Sequence, residues 1–143
     1  DVSIWIKPKP GMVIDAILKE MAGRAGIDLE NLKTVSGPMP DLMEQADLMV
    51  TIASGAIVDG IAAGIPVLRV KRESDLDLDP MDWLAYDRER DFIAYNVEDI
   101  QKEIARALSM SAAQRERLVQ YGRRFVEEFF SPINEEGMSA FLD

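Results

Sequence analysis

Residues 47–70 read DLMVTIASGAIVDGIAAGIPVLRV, and the order of side-chain types in this stretch decides the fold. Residues 47–52 are a short apolar run rich in β-branched side chains, broken by the small residues Ala53, Ser54 and Gly55. Ile57, Val58, Ile61 and Ala62 then recur at helical spacing, Gly64 stops the helix, and a second apolar run begins at Pro66. Two apolar runs joined by one helix make a parallel crossover, since antiparallel neighbours need only a hairpin. Sheets built from such crossovers bind ligands at the carboxyl ends of their strands, so the turn at Ser54-Gly55 is the first place to look for a site.

The chemistry of that turn is concrete. A helix starting near Ser54 has unpaired backbone N–H groups and a partial positive charge, which together favour an anion such as a diphosphate. Gly55 carries no Cβ to hold a ligand away, and the Ser54 hydroxyl can cap the helix or donate to a phosphate oxygen. Asp59 lies about one and a half turns further on, in reach of ribose hydroxyls. The same residues also read as a capped core helix with small side chains for close packing and an acid near its positive end.

Composition narrows the classes of function. The 143 residues suffice for one domain with a real core, and 48% hydrophobic content fits an ordered chain. No apolar run approaches the roughly 18 to 20 residues that span a bilayer, and the start does not resemble a signal peptide, so a cytoplasmic protein is expected. With no Cys there are no disulfides and no thiolate metal sites. With no His, acid–base chemistry falls to carboxylates, Lys or Tyr. The net charge of −10 argues against a general nucleic-acid or anionic-membrane surface. An anionic nucleotide would therefore rely on local donors.

Outward from the central stretch, residues 2–7 (VSIWIK) alternate as a strand, ended by Pro8-Lys9-Pro10-Gly11. Residues 12–25 place Ile14, Ile17, Leu18 and Met21 on one face of a helix closed by Gly26. Residues 31–36 are a weaker strand, and residues 41–46 a short helix after Gly37-Pro38-Met39-Pro40. Lys7 and Lys9 follow the first strand at its carboxyl end, where they either face an anion or remain solvated surface lysines.

Residues 71–91 change character. Eight acids stand there among few anchors, which predicts a long acidic loop. The series Asp75, Asp77, Asp79 invites a calcium reading, but Pro80 stands where a calcium loop needs Gly and Tyr86 where it needs Glu. No metal site is expected.

Residues 92–95 predict a last strand, and Asn96 caps a helix with the stripe Val97, Ile100, Ile104 and Leu108. Ser111 and Gln114 have capping-box spacing, and the helix they open carries Leu118, Tyr121, Gly122, Phe125 and Phe129 as a core face. Ser131-Pro132 stops it, and residues 134–142 suit a final short helix. The expectation is an α/β fold, a Rossmann-like three-layer α/β/α domain spanning residues 1–143, with a mostly parallel sheet of about four or five strands.

Ala46-Asp47, Ser54-Gly55, Asp59 and Gly64-Ile65-Pro66-Val67 together resemble the carboxyl-terminal, donor-binding half of GT-B-fold glycosyltransferases. Trp5-Ile6-Lys7-Pro8-Lys9-Pro10 is similar to a Lys-Pro-His-Pro segment in the capsule-polymer and glycerophosphate transferases of that fold. The turn at residues 36–40 and the paired helices after Asn96 extend the likeness over nearly the whole chain.

The resemblance implies a nucleotide-sugar site serving polysaccharide biosynthesis, with the nucleoside diphosphate sugar as substrate and no cofactor. Ser54, Gly55 and Ala56 would meet the diphosphate, Asp59 the ribose, Ser36 to Met39 the base, and Lys7 would add charge. It names no catalytic residue. Where the family has Glu-Ala, this chain has Asp59-Gly60, with a shorter reach; where it has His, this chain has Lys9, so that histidine's role does not carry over. The resemblance further implies a fragment, inactive alone, of an enzyme that transfers a sugar or polyol phosphate to an acceptor held by a missing amino-terminal domain. The contrasting readings are a flavodoxin-like regulatory or protein-interaction domain, and half of a sugar-nucleotide epimerase.

Overall fold

Among the described residues strand and helix alternate from β1 to β4, and one more strand and a pair of helices follow: β1 (Ile4–Ile6), α1 (Asp15–Ala25), β2 (Leu32–Thr34), α2 (Met39–Met43), β3 (Met49–Thr51), α3 (Ala56–Ala62), β4 (Val67–Val70), β5 (Phe92–Ala94), α4 (Val97–Leu108) and α5 (Ala112–Phe129). The computed structural model describes residues 2–9, 11–26, 28–52, 54–71 and 92–130. Among the described residues every strand pairing is parallel, which establishes the α/β class. The five strands among the described residues are divided between two sheets, β1-β2 and β3-β4-β5. The chain likewise forms two compact units, Asp1–Pro38 and Met39–Asp143.

In the amino-terminal unit β1 and β2 pair with Ile4 opposite Leu32 and Ile6 opposite Thr34, and the ladder continues through Val35 N–H to the Ile6 carbonyl at 3.0 Å. Gly26 ends α1 in the left-handed conformation at φ 65°, with its N–H on the Ala22 carbonyl, as its place in the sequence predicts. The apolar stripe on α1 is less buried than its spacing predicts. Ala22 is covered, whereas Ile17 is 52% and Met21 61% exposed. The helix also starts three residues later than the apolar spacing predicts. The Met12 N–H closes a turn on the Lys9 carbonyl, and Gly11 at φ 79° holds the chain out of helical geometry.

The carboxyl-terminal unit has three layers, and strand alternation shows why. Val67 and Leu68 are neighbours on β4, so their side chains leave the sheet on opposite faces. Val67 joins Ile57 and Ile61 of α3 and Phe125 of α5 in one buried cluster. Leu68 joins Phe92 and Ala94 of β5 and Ala107 of α4 in the other. Both faces of this parallel sheet are thus covered, as such sheets require.

Glycines set how closely α3 and α5 approach. Gly64 has φ 70°, and a Cβ on it would come within 2.5 Å of the Val119 Cα. A Cβ on Gly122 would run into the Ile61 carbonyl oxygen. Gly60 lies against Val67 in the same way, at 2.6 Å from its Cγ2. Asn96 caps α4 by accepting the Asp99 N–H at 2.8 Å, and Ser111 with Gln114 forms the expected capping box on α5.

Two boundaries differ from expectation. The helix α2 begins at Met39 rather than residue 41, because Pro40 has a φ suited to a first helical turn. Phe129 is 49% exposed rather than core, although its ring still lies 5.2 Å from that of Phe125. The acidic loop beyond Lys71, with its Asp75, Asp77 and Asp79, and the expected helix at residues 134–142 lie outside the described residues.

Candidate functional site

The carboxyl edge of the β3-β4-β5 sheet is built from three strand ends. The strand β3 runs out at Thr51 and turns through Ser54 and Gly55 into α3. β4 ends at Val70, and the N–H of the next residue, Lys71, donates to the Ala94 carbonyl at 2.9 Å; β5 ends at Ala94, and Tyr95 leads straight into the Asn96 cap of α4.

Two helices start at this edge, and their charges differ. The first turn of α4 carries Glu98 and Asp99, and an Asp99 carboxylate oxygen already accepts the Tyr95 N–H at 3.2 Å. That start repels an anion. By contrast, Ser54, Gly55 and Ala56 are uncharged, and the first turn of α3 carries a single acid, Asp59, at its fourth position.

Local bonding at the α3 start is tight. The Ser54 hydroxyl accepts the Ala56 N–H at 3.3 Å, while the Ile57 and Val58 N–H groups donate to the carbonyls of Ser54 and Gly55 at 3.1 Å each. Three donors expected to be open are therefore engaged, two in backbone bonds of the 3-10 type and one by the Ser54 side chain. The Ser54 O–H proton is a separate donor, because accepting one bond uses only a lone pair. Ile57, Gly60 and Ile61 form the buried face of α3. Gly55, Ala56 and Asp59, at i, i+1 and i+4, lie on the opposite, accessible side. Asp59 is half-buried, its carbonyl accepts the Ala63 N–H at 3.0 Å, and its carboxylate has no hydrogen-bond or ion-pair partner among the described residues.

The remaining expected residues are placed as follows. Met39 opens α2, is half-buried, and belongs to the carboxyl-terminal unit. Lys7 and Ser36 belong to the amino-terminal unit, where they follow β1 and β2 at the carboxyl edge of that two-stranded pair. Lys7 is half-buried, and Ser36 and Lys9 are exposed. Asp15, at the start of α1, accepts a bond from the Thr34 hydroxyl at 3.4 Å on the same unit.

Three residues near the β3-β4-β5 edge were not singled out by sequence. Arg69 on β4 is only 3% exposed and shares the α3 side of the sheet with Val67. Lys71 is half-buried and Tyr95 55% exposed, each directly after its strand. The available signal was positional: a charge inside the run VLRV, and polar residues that end apolar runs. Among the described residues there is no cluster of three or more acids that could hold a metal ion, and no helix long and apolar enough to cross a membrane.

Residues 9–72, just under half of the chain, match the family model described as "Putative glycosyltransferase (DUF6716)". The match spans Lys9 and the whole β3-α3-β4 crossover, including Ser54 and Asp59, and supports a glycosyltransferase role in general terms. No curated protein and no solved structure matches the chain.

Proposed function

We propose that the β3-α3 turn holds the nucleoside diphosphate of an activated sugar, as the donor-binding part of a glycosyltransferase of GT-B type. The observation that carries this reading is the family match over residues 9–72, which encloses a strand-end turn of uncharged residues, 54–56, and the Asp59 carboxylate on the accessible face of α3. Within that reading the Ser54 hydroxyl and the Gly55 N–H donate to the diphosphate, and Ala56, whose N–H is held by Ser54, packs against it. Asp59 accepts from ribose hydroxyls, and Met39 supplies an apolar wall for the base. Donors fixed before reaction stabilise the diphosphate as it leaves, without having to reorganise.

Lys7 and Ser36 are proposed to take part in donor binding from their own unit, Lys7 as a cation and Ser36 as a contact to the base. The acceptor is held by polypeptide outside these 143 residues, and the product is a sugar or polyol-phosphate polymer.

The test is an NMR titration of the protein with uridine, cytidine and guanosine diphosphates. The expected result is shifts at Ser54, Gly55, Ala56 and Asp59 with one of the three, weakened at least ~10-fold in affinity by Asp59→Asn, a loss of about 1.4 kcal/mol. Shifts absent from residues 54–59 with all three nucleotides sink the proposal.

A further inference from the structure

Lys71 follows the middle strand of the β3-β4-β5 sheet, at the edge where the candidate site lies. The register pairs Val70 with Ala94, and the Lys71 N–H on the Ala94 carbonyl carries that pairing one residue further, to Tyr95. Side chains alternate between the faces of a sheet along each strand. Val67 belongs to the cluster under α3 and Leu68 to the cluster under α4, so Arg69 and Lys71 fall on the α3 side. Phe92 and Ala94 face α4, which puts Tyr95 on the α3 side as well.

The surroundings of Lys71 are unequal in charge. Toward β5 come Tyr95, 55% exposed, and then Glu98 and Asp99 in the first turn of α4. Toward β3, one strand spacing of about 4.8 Å away, come the uncharged residues 54–56. An anion drawn to Lys71 is therefore repelled on the β5 side and accommodated on the β3 side. The register sets Thr51 against Arg69, so Lys71, two residues on, is level with the start of the turn into α3.

The helix α3 itself carries no basic side chain, and Arg69, 3% exposed, is enclosed. Lys71 is thus the cation that the strand register brings to this turn. It is half-buried, and its three N–H donors let the ammonium keep a contact within the protein and still meet a phosphate. It also falls inside the stretch, residues 9–72, that matches the family model.

We infer, within the nucleotide reading above and resting on it, that Lys71 binds the terminal phosphate of the nucleoside diphosphate and so makes the site select a diphosphate over a monophosphate. In that reading Asp59 on α3 and Met39 on α2 hold the nucleoside, which leaves the far end of the phosphate chain to β4. The charge on β4 then acts on the phosphate that a monophosphate lacks.

Titration with the mono- and diphosphates of uridine, cytidine and guanosine tests this, on the unmodified protein and on Lys71→Gln. For the base that binds, the diphosphate should bind the unmodified protein at least ~10-fold tighter than the monophosphate. Lys71→Gln should bring the two within ~2-fold of each other and leave the monophosphate affinity unchanged. Lys71→Arg should retain the preference. Arg117→Gln, which removes an equal charge from an exposed position on α5, should retain it too. In the unmodified protein the Lys71 Cε resonance should move with the diphosphate and stay in place with the monophosphate.

A preference that Lys71→Gln leaves unchanged, that Lys71→Arg or Arg117→Gln loses equally, or that the unmodified protein lacks overturns the inference while nucleotide binding stands. So does an equal loss of affinity for both nucleotides, or a Lys71 resonance indifferent to the diphosphate. Absence of binding by all of these nucleotides overturns the nucleotide reading together with it.

Discussion

The two units of this chain use the same local grammar, strand then helix then strand, and reach different degrees of burial. In Met39–Asp143 the sheet has helices on both faces and a buried cluster on each. In Asp1–Pro38 one long helix accompanies two strands, and the apolar residues Ile4, Ile17 and Met21 each expose about half or more of their surface. The lesson is that an amphipathic pattern specifies which face of an element seeks cover, while the supply of covering elements decides whether it gets it.

The largest effect should come from the contact that most sharply marks the better-packed unit. Gly122→Ala places a Cβ against the Ile61 carbonyl where neither helix has room, and should cost about 4 kcal/mol in denaturant unfolding. A cost below about 1 kcal/mol would mean that α3 and α5 separate easily. Next, Ile57→Ala empties a fully buried position between α3 and the sheet, and should cost about 3 kcal/mol in the same measurement. The smallest change belongs to the other unit: Ile17→Ala, on a side chain 52% exposed, should stay within about 0.5 kcal/mol. If Ile17→Ala instead matches Ile57→Ala in a longer polypeptide, then further residues cover α1 there, and the contrast reflects an incomplete set of elements.

Much of the fold was legible because its signals are local. The β3-α3-β4 crossover followed from two apolar runs, three small residues, helical spacing and a glycine. The caps at Asn96 and Ser111 followed from side chains that bond within three residues of themselves. The division into two sheets was not legible. Strands of three or four residues carry too little pattern to specify partners, and pairing is decided between segments far apart in the chain.

Gly122 shows the same limit in one residue. Its place on the buried face of α5 was readable, but the reason no side chain fits is a carbonyl some sixty residues earlier. At the candidate site the residue types were readable and their bonding was not. The Ser54 hydroxyl could have capped the helix or pointed outward, and the structure shows it accepting the Ala56 N–H. Arg69 was passed over because a charge within an apolar run reads as a break in the pattern, whereas here it is enclosed.

The cluster formed by Ile57, Ile61, Val67 and Phe125 has a consequence for how the polypeptide can be divided. Three of its members fall inside the stretch that matches the family model, and the fourth comes more than fifty positions after that stretch stops. A protein trimmed to the matching stretch would bare the underside of α3 to water. It would also forfeit Phe92, Ala94 and Ala107 from the opposite side of the sheet. The portion of the gene most easily recognised is therefore not a portion that can be excised, and any minimal version has to extend through the end of α5.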